Sequence, residues 1–425
     1  MFLVNVKIIF WLVFSFLFLL LAYSPFLVFP FTIIGLFLFG ISNYQREYNK
    51  YVVLFLIFSC FSLLINVMSI PNFLNMSDDF TTYYNNYLSL YSGDLTALFQ
   101  FSGGLEIGLP LINLFLSAII NGQYPFVLRF FHCFILLCLY LYLIKLIIKR
   151  LNLNWKDISL LLALMLCFFK LSLSFYFLRQ GYSSLFILMG FFAINRSNRV
   201  LFFFLSALFH LSSIVIIPLI YFLLEVKGKK SHVLFRFSCV FISILILLFL
   251  SKISLISFDN VFLQKLNFFF YYLNNQSYVL NSIKSTLTAL IYLIPLLALS
   301  FISKDYKHSN ETRTIVSIIF FSISFSYLPS ITTRLMMPIF TFLMGYFYFI
   351  SFRFVKNIYI KIIIVLLTVS YLNINWIFKD VLYYYRYPMV STTPFYYLSL
   401  DFLSIPNIDR SSLDSEVKII NENKI

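Results

Sequence analysis

Long apolar runs, separated by short polar segments, follow one another along almost the whole chain. They begin with residues 7–22, 25–40 and 51–68 and continue to residues 358–378. Each run is long enough to form a helix, and in a bilayer the backbone must pair its own polar groups internally. With 61% hydrophobic and only 11% charged residues, the sequence predicts an all-α polytopic membrane protein and excludes a soluble domain or a disordered chain.

The charges of the loops predict the orientation of the helices. Basic residues concentrate in loops such as 145–156 and 304–313, which the positive-inside rule assigns to the cytoplasm. The loop of residues 71–106 carries four acidic residues and no Lys or Arg, so we place it on the outer side. The loop distribution also accounts for the formal net charge of +15, and no basic face for nucleic acid is indicated.

Two apolar segments conflict with simple crossing of the membrane. If residues 105–120 crossed, the basic loop at 145–156 would lie outside, so we predict a re-entrant or membrane-parallel outer helix there. If residues 200–224 crossed once, the lysines of residues 227–230 would lie outside. We therefore predict a break near His210 into two short helices that line an outward-opening cavity. These choices leave about eleven spans.

The domain organisation follows from the same pattern. We predict a single transmembrane catalytic domain over residues 1–378, which includes the outer acidic loop at 71–106, and an outer polar tail over residues 379–425. Residues 1–24 are predicted to be an uncleaved first span, with a cleaved signal peptide as the alternative. All five cysteines lie inside apolar runs without the spacing of metal ligands, so the sequence predicts neither a disulfide framework nor a metal site.

Three polar side chains lie within or beside apolar runs: Arg179, His210 and Arg334. A charge near the bilayer centre costs roughly 2.5–3.5 kcal/mol, so such residues indicate a functional site. The donor fork of Arg matches phosphate oxygens, and we predict that Arg179 and Arg334 bind a lipid pyrophosphate. The alternatives are that Arg179 reaches outer headgroups or pairs with a loop carboxylate, and that His210 is a satisfied core residue.

The carboxylates of the outer loop are the candidate acid–base groups. Asp79 and Glu106 are predicted to face the cavity, where a carboxylate within hydrogen-bond reach can deprotonate a sugar hydroxyl. The alternatives are loop solvation for Asp79 and a cap on the following helix for Glu106. Aromatic and polar side chains are the predicted sugar-binding residues: Tyr83, Tyr84, Gln180, Tyr384 and Arg386.

The order of these signals resembles the EpsG-type branch of the Wzy polysaccharide polymerases. The resemblance covers roughly residues 78–352. It rests on an outer Asp followed by Tyr-rich sequence, on Glu106-Ile107-Gly108, on Arg179-Gln180, on Phe209-His210-Leu211-Ser212, and on the late Arg334.

The resemblance implies a helix bundle similar to the GT-C glycosyltransferases, with membrane-parallel outer helices, in the bacterial inner membrane. It implies transfer of a growing glycan from undecaprenyl pyrophosphate onto the next lipid-linked repeat unit at the outer face. Asp79 or Glu106 would act on the acceptor hydroxyl, Arg179 and Arg334 would bind the donor pyrophosphate, and His210 would position groups or exchange protons. No cofactor or metal is required, and a chain-length regulator protein is a further candidate partner beside the membrane lipid.

Two other functions fit the same pattern. A polyprenyl-dependent GT-C glycosyltransferase or a ligase would share the architecture. A flippase for lipid-linked oligosaccharides would also need an outward cavity with Arg residues, but such a transporter should show repeat symmetry, which the sequence does not show.

Overall fold

The structure is a computed structural model that describes residues 2–41, 49–68, 79–120, 125–171, 174, 177–253, 273, 275–328 and 331–378. Within these ranges every regular element is a helix, which confirms the all-α prediction. The GT-C arrangement and the count of about eleven spans stay predictions. The tail of residues 379–425, with Tyr384 and Arg386, lies outside the described residues.

The chain forms two compact units. The first comprises the described residues up to Leu211 and those from Leu366 onward, and the second comprises Ser212–Val365. Both are units of packing inside the membrane domain predicted over residues 1–378, whose extent stays a prediction.

The first unit contains the residues of the acidic loop. Its second helix packs on the third and the seventh, and its eighth helix packs on the sixth and the ninth. The helices are α1 (Phe2–Tyr23), α2 (Pro25–Ile41), α3 (Asn49–Met68), α4 (Asp79–Tyr91), α5 (Gly108–Ile119), α6 (Pro125–Leu151), α7 (Trp155–Phe168), α8 (Leu178–Phe192) and α9 (Arg196–Phe209).

Between α4 and α5 the chain makes two short 3₁₀ turns, Leu95–Phe99 and Ser102–Gly104. The second turn depends on glycine, since Gly103 and Gly104 have φ angles of 67° and 88°, in a region that residues with a Cβ seldom adopt. The chain reverses there, and Glu106 follows two residues later.

Helix α5 has 12 residues, so it is about 18 Å long at 1.5 Å per residue and shorter than a hydrocarbon core of about 30 Å. It packs against α4, α8 and α9. The length fits the prediction that residues 105–120 do not cross the membrane as one helix, while their re-entrant or membrane-parallel placement stays a prediction.

The predicted break in the apolar segment 200–224 is confirmed. Helix α9 ends at Phe209, and His210 is extended with φ −158° and ψ 121°. The next helix begins at Ser213. The prediction that one of these helices runs toward the outer face of the membrane and the other runs back stays a prediction.

The second unit is organised around α15, which packs on α10, α11, α12, α13 and α17. Its helices are α10 (Ser213–Glu225), α11 (Lys229–Ile253), α12 (Gln276–Ile291), α13 (Ile294–Ile302), α14 (Lys304–Lys307), α15 (Asn310–Ser324), α16 (Ile331–Leu335) and α17 (Met344–Arg353), with a π-helical turn at Pro338–Leu343; α18 (Ile358–Phe378) ends the described chain.

Several helices have the length and composition of membrane spans. Among the described residues these are Asn49–Met68, Pro125–Leu151 and Lys229–Leu248, with a fourth if α12 and α13 form one bent span. Helix α11 exposes large apolar side chains such as Phe237 and Phe241. Exposed apolar faces on long helices are typical of lipid contact, so the structure supports a helical membrane protein.

Candidate active site

Glu106 is the centre of the candidate site. Its side chain is only 2% exposed, and its two oxygens bind groups from two other parts of the chain. Oε2 accepts a hydrogen bond from Nη1 of Arg179 at 2.5 Å. Oε1 accepts from Nδ1 of His210 at 2.8 Å and from the backbone N–H of Leu211 at 2.9 Å. The Glu106 cluster, meaning Glu106, Arg179 and His210, therefore joins the acidic loop, the start of α8 and the helix break.

The local fold explains why these three residues meet. The loop that carries Glu106 leads directly into α5, which packs on both α8 and α9. Arg179 lies in the first turn of α8, and His210 follows the last residue of α9. At the break, the backbone N–H of Leu211 needs an acceptor, and the Glu106 carboxylate supplies it.

Glu106 is held as an anion. Burial alone raises the pKa of a carboxyl, but hydrogen bonds from His210 and Leu211 and the charges of His210 and Arg179 lower the pKa of Glu106 from 4.5 to about 2. A carboxylate with such a low proton affinity is a poor general base near neutral pH. It is suited to orienting the two cationic or polar partners that it binds.

Arg179 lies between the carboxylate and two aromatic rings. Its guanidinium carbon is 4.5 Å from the ring centroid of Phe101 and 5.8 Å from that of Tyr83. Its side chain is 24% exposed, while its Nε is buried and has no hydrogen-bond partner among the described residues. The guanidinium is thus fixed in orientation by Glu106 and the rings and keeps donor capacity for an oxygen-rich anion.

The bond to Glu106 also fixes the tautomer of His210. A carboxylate with a pKa of about 2 only accepts hydrogen bonds, so Nδ1 carries the proton. Nε2 is then directed away from Glu106, and it has no hydrogen-bond partner among the described residues. With 21% of the side chain exposed, a carboxylate-oriented imidazole of this kind is able to accept a proton on Nε2.

A buried polar network lies beside the Glu106 cluster. His132 on α6 is fully buried, with Nε2 at 2.9 Å from Asn113 Oδ1 and Nδ1 at 3.0 Å from the Tyr182 hydroxyl. Asn113 on α5 donates to Asn86 Oδ1 on α4 at 2.9 Å. The network therefore ties together α4, α5, α6 and α8, of which α8 carries Arg179 and α5 begins two residues after Glu106.

Aromatic packing connects this network to the cluster. Tyr182, one turn after Arg179, stacks on Phe209 with ring centroids 4.9 Å apart. Phe209 immediately precedes His210, and a Cβ on Gly108 would lie 2.7 Å from the Phe209 ring. Glycine at position 108 permits the close approach of α5 to the end of α9, and this approach brings Glu106 to His210.

Asp79 is the first residue of α4 and is partly exposed. It lies one helical turn before Tyr83, so both side chains are on the same face of α4. The Tyr83 ring is 5.8 Å from the guanidinium carbon of Arg179. Asp79 is thus placed on the helix face that leads to the Glu106 cluster, and its predicted role in catalysis stays a prediction.

The predicted sugar ligands Tyr83, Tyr84 and Gln180 lie at buried positions. Tyr83 packs beside Arg179, and the binding of sugar by these three residues stays a prediction. The capping alternative for Glu106 is wrong, because α5 has Ile107 at its N-cap and no side-chain cap, while the carboxylate binds the residues described above.

Arg334 lies in the second unit. It is exposed, near the end of the short helix α16. Its predicted role as a pyrophosphate ligand stays a prediction. Within the described part of the chain no group of three His, Cys, Asp or Glu side chains is arranged to hold a metal ion.

The sequence predictions leave out the buried polar residues beside the site. His132 and Arg129 both lie in the apolar run that forms α6, and both are buried, with Arg129 donating to the carbonyl of Val67 at 2.6 Å. The signal that indicated Arg179, a polar side chain in an apolar run, was present for these residues too. Asn113 carried the same signal within α5.

The fold and the site together define a helical, apolar membrane protein in which a buried carboxylate holds an Arg and a His at the edge of a helix break. The chain belongs to the EpsG family, whose model matches residues 55–389. Membership confirms the resemblance and indicates a polymerase-like function in polysaccharide synthesis. No curated protein and no solved structure matches the chain significantly.

Proposed function

We propose that this protein is a polysaccharide polymerase of the O-antigen, capsule or exopolysaccharide type. It transfers a glycan from undecaprenyl pyrophosphate to the next lipid-linked repeat unit on the outer face of the bacterial inner membrane. The observation that carries the proposal is the Glu106 cluster, in which one buried carboxylate orients an Arg suited to pyrophosphate and a His suited to proton transfer.

In the reaction, the acceptor hydroxyl oxygen forms a bond to the anomeric carbon of the donor glycan. The bond between that carbon and the pyrophosphate oxygen breaks, and undecaprenyl pyrophosphate leaves with the bonding electron pair. The hydroxyl proton passes to Nε2 of His210, and Glu106 stabilises the resulting imidazolium. Asp79 orients the acceptor hydroxyl.

Arg179 stabilises the negative charge that develops on the departing pyrophosphate. Its partial exposure and its orientation by Glu106 and Phe101 support this role, because a preorganised donor needs no rearrangement during the reaction. Arg334 is the proposed second pyrophosphate ligand. In this proposal Glu106 is a positioning residue, since both of its oxygens are bound by protein groups.

The test is complementation of a strain that lacks this gene. Wild type should restore the ladder of polymer lengths on a silver-stained gel. Arg179→Ala should leave single repeat units and accumulate lipid-linked repeat units, at normal protein levels in the membrane. Arg196→Ala is the matched control, because Arg196 is an exposed arginine at the opposite end of α9 from His210.

The gel separates the proposal from its rivals. An unchanged ladder in the deletion strain contradicts a polymerase. Loss of even the single-unit band indicates a flippase, a ligase or an earlier transferase. A full ladder with Arg179→Ala contradicts the role of Arg179 while leaving the function itself intact.

A further inference from the structure

Gln100 stands at the end of a hydrogen-bond chain that begins deep in the first unit. Tyr182, His132, Asn113, Asn86 and Gln100 follow one another at distances of 2.8–3.0 Å. The first four are buried, whereas Gln100 is exposed in the outer loop. The chain thus connects the interior to one particular surface side chain.

Two backbone carbonyls fix the direction of every bond in this chain. The carbonyl of Ala97 accepts from Asn86 Nδ2 at 2.8 Å, and the carbonyl of Tyr83 accepts from Asn113 Nδ2 at 3.2 Å. A carbonyl cannot donate, so the amide nitrogens of both Asn residues are assigned by chemistry. Asn113 Oδ1 then faces His132, whose Nε2 must donate.

The same logic fixes the orientation of the Gln100 amide. Asn86 has two N–H donors, of which one binds the Ala97 carbonyl and the other binds Gln100 at 2.8 Å. The Gln100 atom that faces Asn86 must therefore be the oxygen. The Gln100 NH₂ group points away with both of its protons, and it has no partner among the described residues.

We propose that Gln100 is a specificity-determining residue that donates hydrogen bonds to the sugar at the acceptor end of the incoming repeat unit. An exposed Gln is normally free to rotate, yet four buried polar side chains hold this one with its donors outward. Such a supporting network is expected where a binding group needs a fixed direction. This inference rests on the proposed polymerase function.

The neighbours of Gln100 suit a sugar. Phe99, which is 62% exposed, offers an apolar ring one residue before the amide. Phe101, one residue after it, packs on the guanidinium of Arg179. An apolar face beside directed donors matches a pyranose, which has an apolar face and hydroxyl edges. Gln100 is thus linked through its neighbour to the residue proposed to bind the donor.

The experiment compares Gln100→Glu with wild type. A Glu side chain keeps an oxygen for Asn86 but has no outward donor. The substrate is the lipid-linked repeat unit that accumulates in the deletion strain, assayed with the purified full-length protein. We expect KM to rise about tenfold, because one or two hydrogen bonds are lost. We expect kcat to stay nearly unchanged. Asn85→Ala is the control, because Asn85 is an exposed amide on the same helix as Asn86.

A second readout does not depend on catalysis. The oligosaccharide released from that lipid by mild acid is titrated against the purified protein. Weaker binding to Gln100→Glu, by about tenfold, supports the inference. Equal binding by both proteins, or binding by neither, overturns the inference. A loss confined to kcat in the kinetic assay also overturns it, since that result indicates a structural role for Gln100. A failure of the polymerase proposal is recognised separately, by an unchanged ladder in the deletion strain.

Discussion

Each of the two units contains a His–Arg cluster, and the two clusters use the same residue types differently. In the Glu106 cluster, the partner of both basic side chains is a buried carboxylate, and His210 keeps Nε2 without a protein partner in the described chain. In the second unit, His232 is fully buried, and both of its ring nitrogens are bound, by the Ser317 hydroxyl at 2.9 Å and the Val226 carbonyl at 2.8 Å.

The arginines of the second unit, like His232, bind uncharged protein groups. Arg236 donates to the Ser317 hydroxyl at 3.3 Å and to the Arg313 carbonyl at 3.1 Å. Arg313 donates to the carbonyls of Lys227 and His308. The Ser317 cluster, meaning Ser317, His232, Arg236 and Arg313, therefore satisfies carbonyls at the ends of α10 and α14. Such bonds stabilise helix termini.

We infer that the partner, and not the residue type, distinguishes the proposed reactive site from a structural cluster. A charged carboxylate creates an electric field at the site and holds the imidazole in one orientation. Hydroxyls and carbonyls satisfy hydrogen-bond donors but have neither effect. We therefore expect substitutions in the Glu106 cluster to reduce activity, and substitutions in the Ser317 cluster to reduce stability.

The largest expected effect is that of Glu106→Gln. The amide has nearly the shape of the carboxylate but lacks the charge that orients Arg179 and His210. We expect transfer activity to fall about 10³-fold, measured as polymer formed per protein in isolated membranes. Ser317→Ala should keep its activity within about threefold and lose stability instead, by about 1–3 kcal/mol, because His232 and Arg236 lose a partner. Equal losses of activity in the two variants would remove the distinction.

Part of this comparison was predictable from sequence. The break at His210 followed from the charges of the flanking loops. Arg179 and His210 stood out as polar residues in apolar surroundings, and Glu106 stood out as a carboxylate of the acidic loop. Their direct pairing was only an alternative for Arg179, because spacing along the chain does not show which loop reaches which helix end. Gly108 and Phe209, which allow that approach, carry no charge and gave no signal.

The Ser317 cluster and the buried network were harder to foresee. His232 and Asn86 acquire their roles only through neighbours from distant segments. His232 and Ser317 are 85 residues apart in sequence, and Asn86 and Asn113 are 27 apart. Patterns of apolar periodicity place helices but do not specify such contacts. The burial of Tyr83 and Tyr84 also depends on neighbours from other segments, and aromatic character alone does not predict it.

The two histidines offer a sharper test. His210→Ala should lower kcat about 10²-fold, the usual contribution of a general base, with little change in the melting temperature of the purified protein. His232→Ala leaves a cavity and two unpaired groups, so the melting temperature should fall by several degrees while kcat stays nearly constant. A melting temperature that falls equally in both variants would indicate that His210 is structural as well.

Two glycine substitutions test whether the geometry at the helix break matters. In Gly108→Ala the new Cβ would lie 2.7 Å from the Phe209 ring, so Phe209 and the adjacent His210 must shift. A small displacement of a catalytic group is costly, and we expect about tenfold lower kcat. Gly228→Ala is the matched control in the second unit, since among the described residues its Cβ would meet only the Ser231 side chain, whose hydroxyl lies at 3.1 Å. Normal activity in Gly108→Ala would show that the site tolerates a looser fit.

The smallest expected effect is on stability at acid pH. The pKa of Glu106 is lowered from 4.5 to about 2, so the folded state binds fewer protons than the unfolded state in this range. The contribution of Glu106 to stability is complete above pH 4.5 and is lost as the pH falls through about 2. Glu106→Gln has no such titration. The difference in melting temperature between wild type and this variant should therefore shrink as the pH falls below about 4.5. A difference that begins to shrink near neutral pH would mean that Glu106 has the raised pKa of a general base, and Glu106 would then replace His210 as the group that takes the proton.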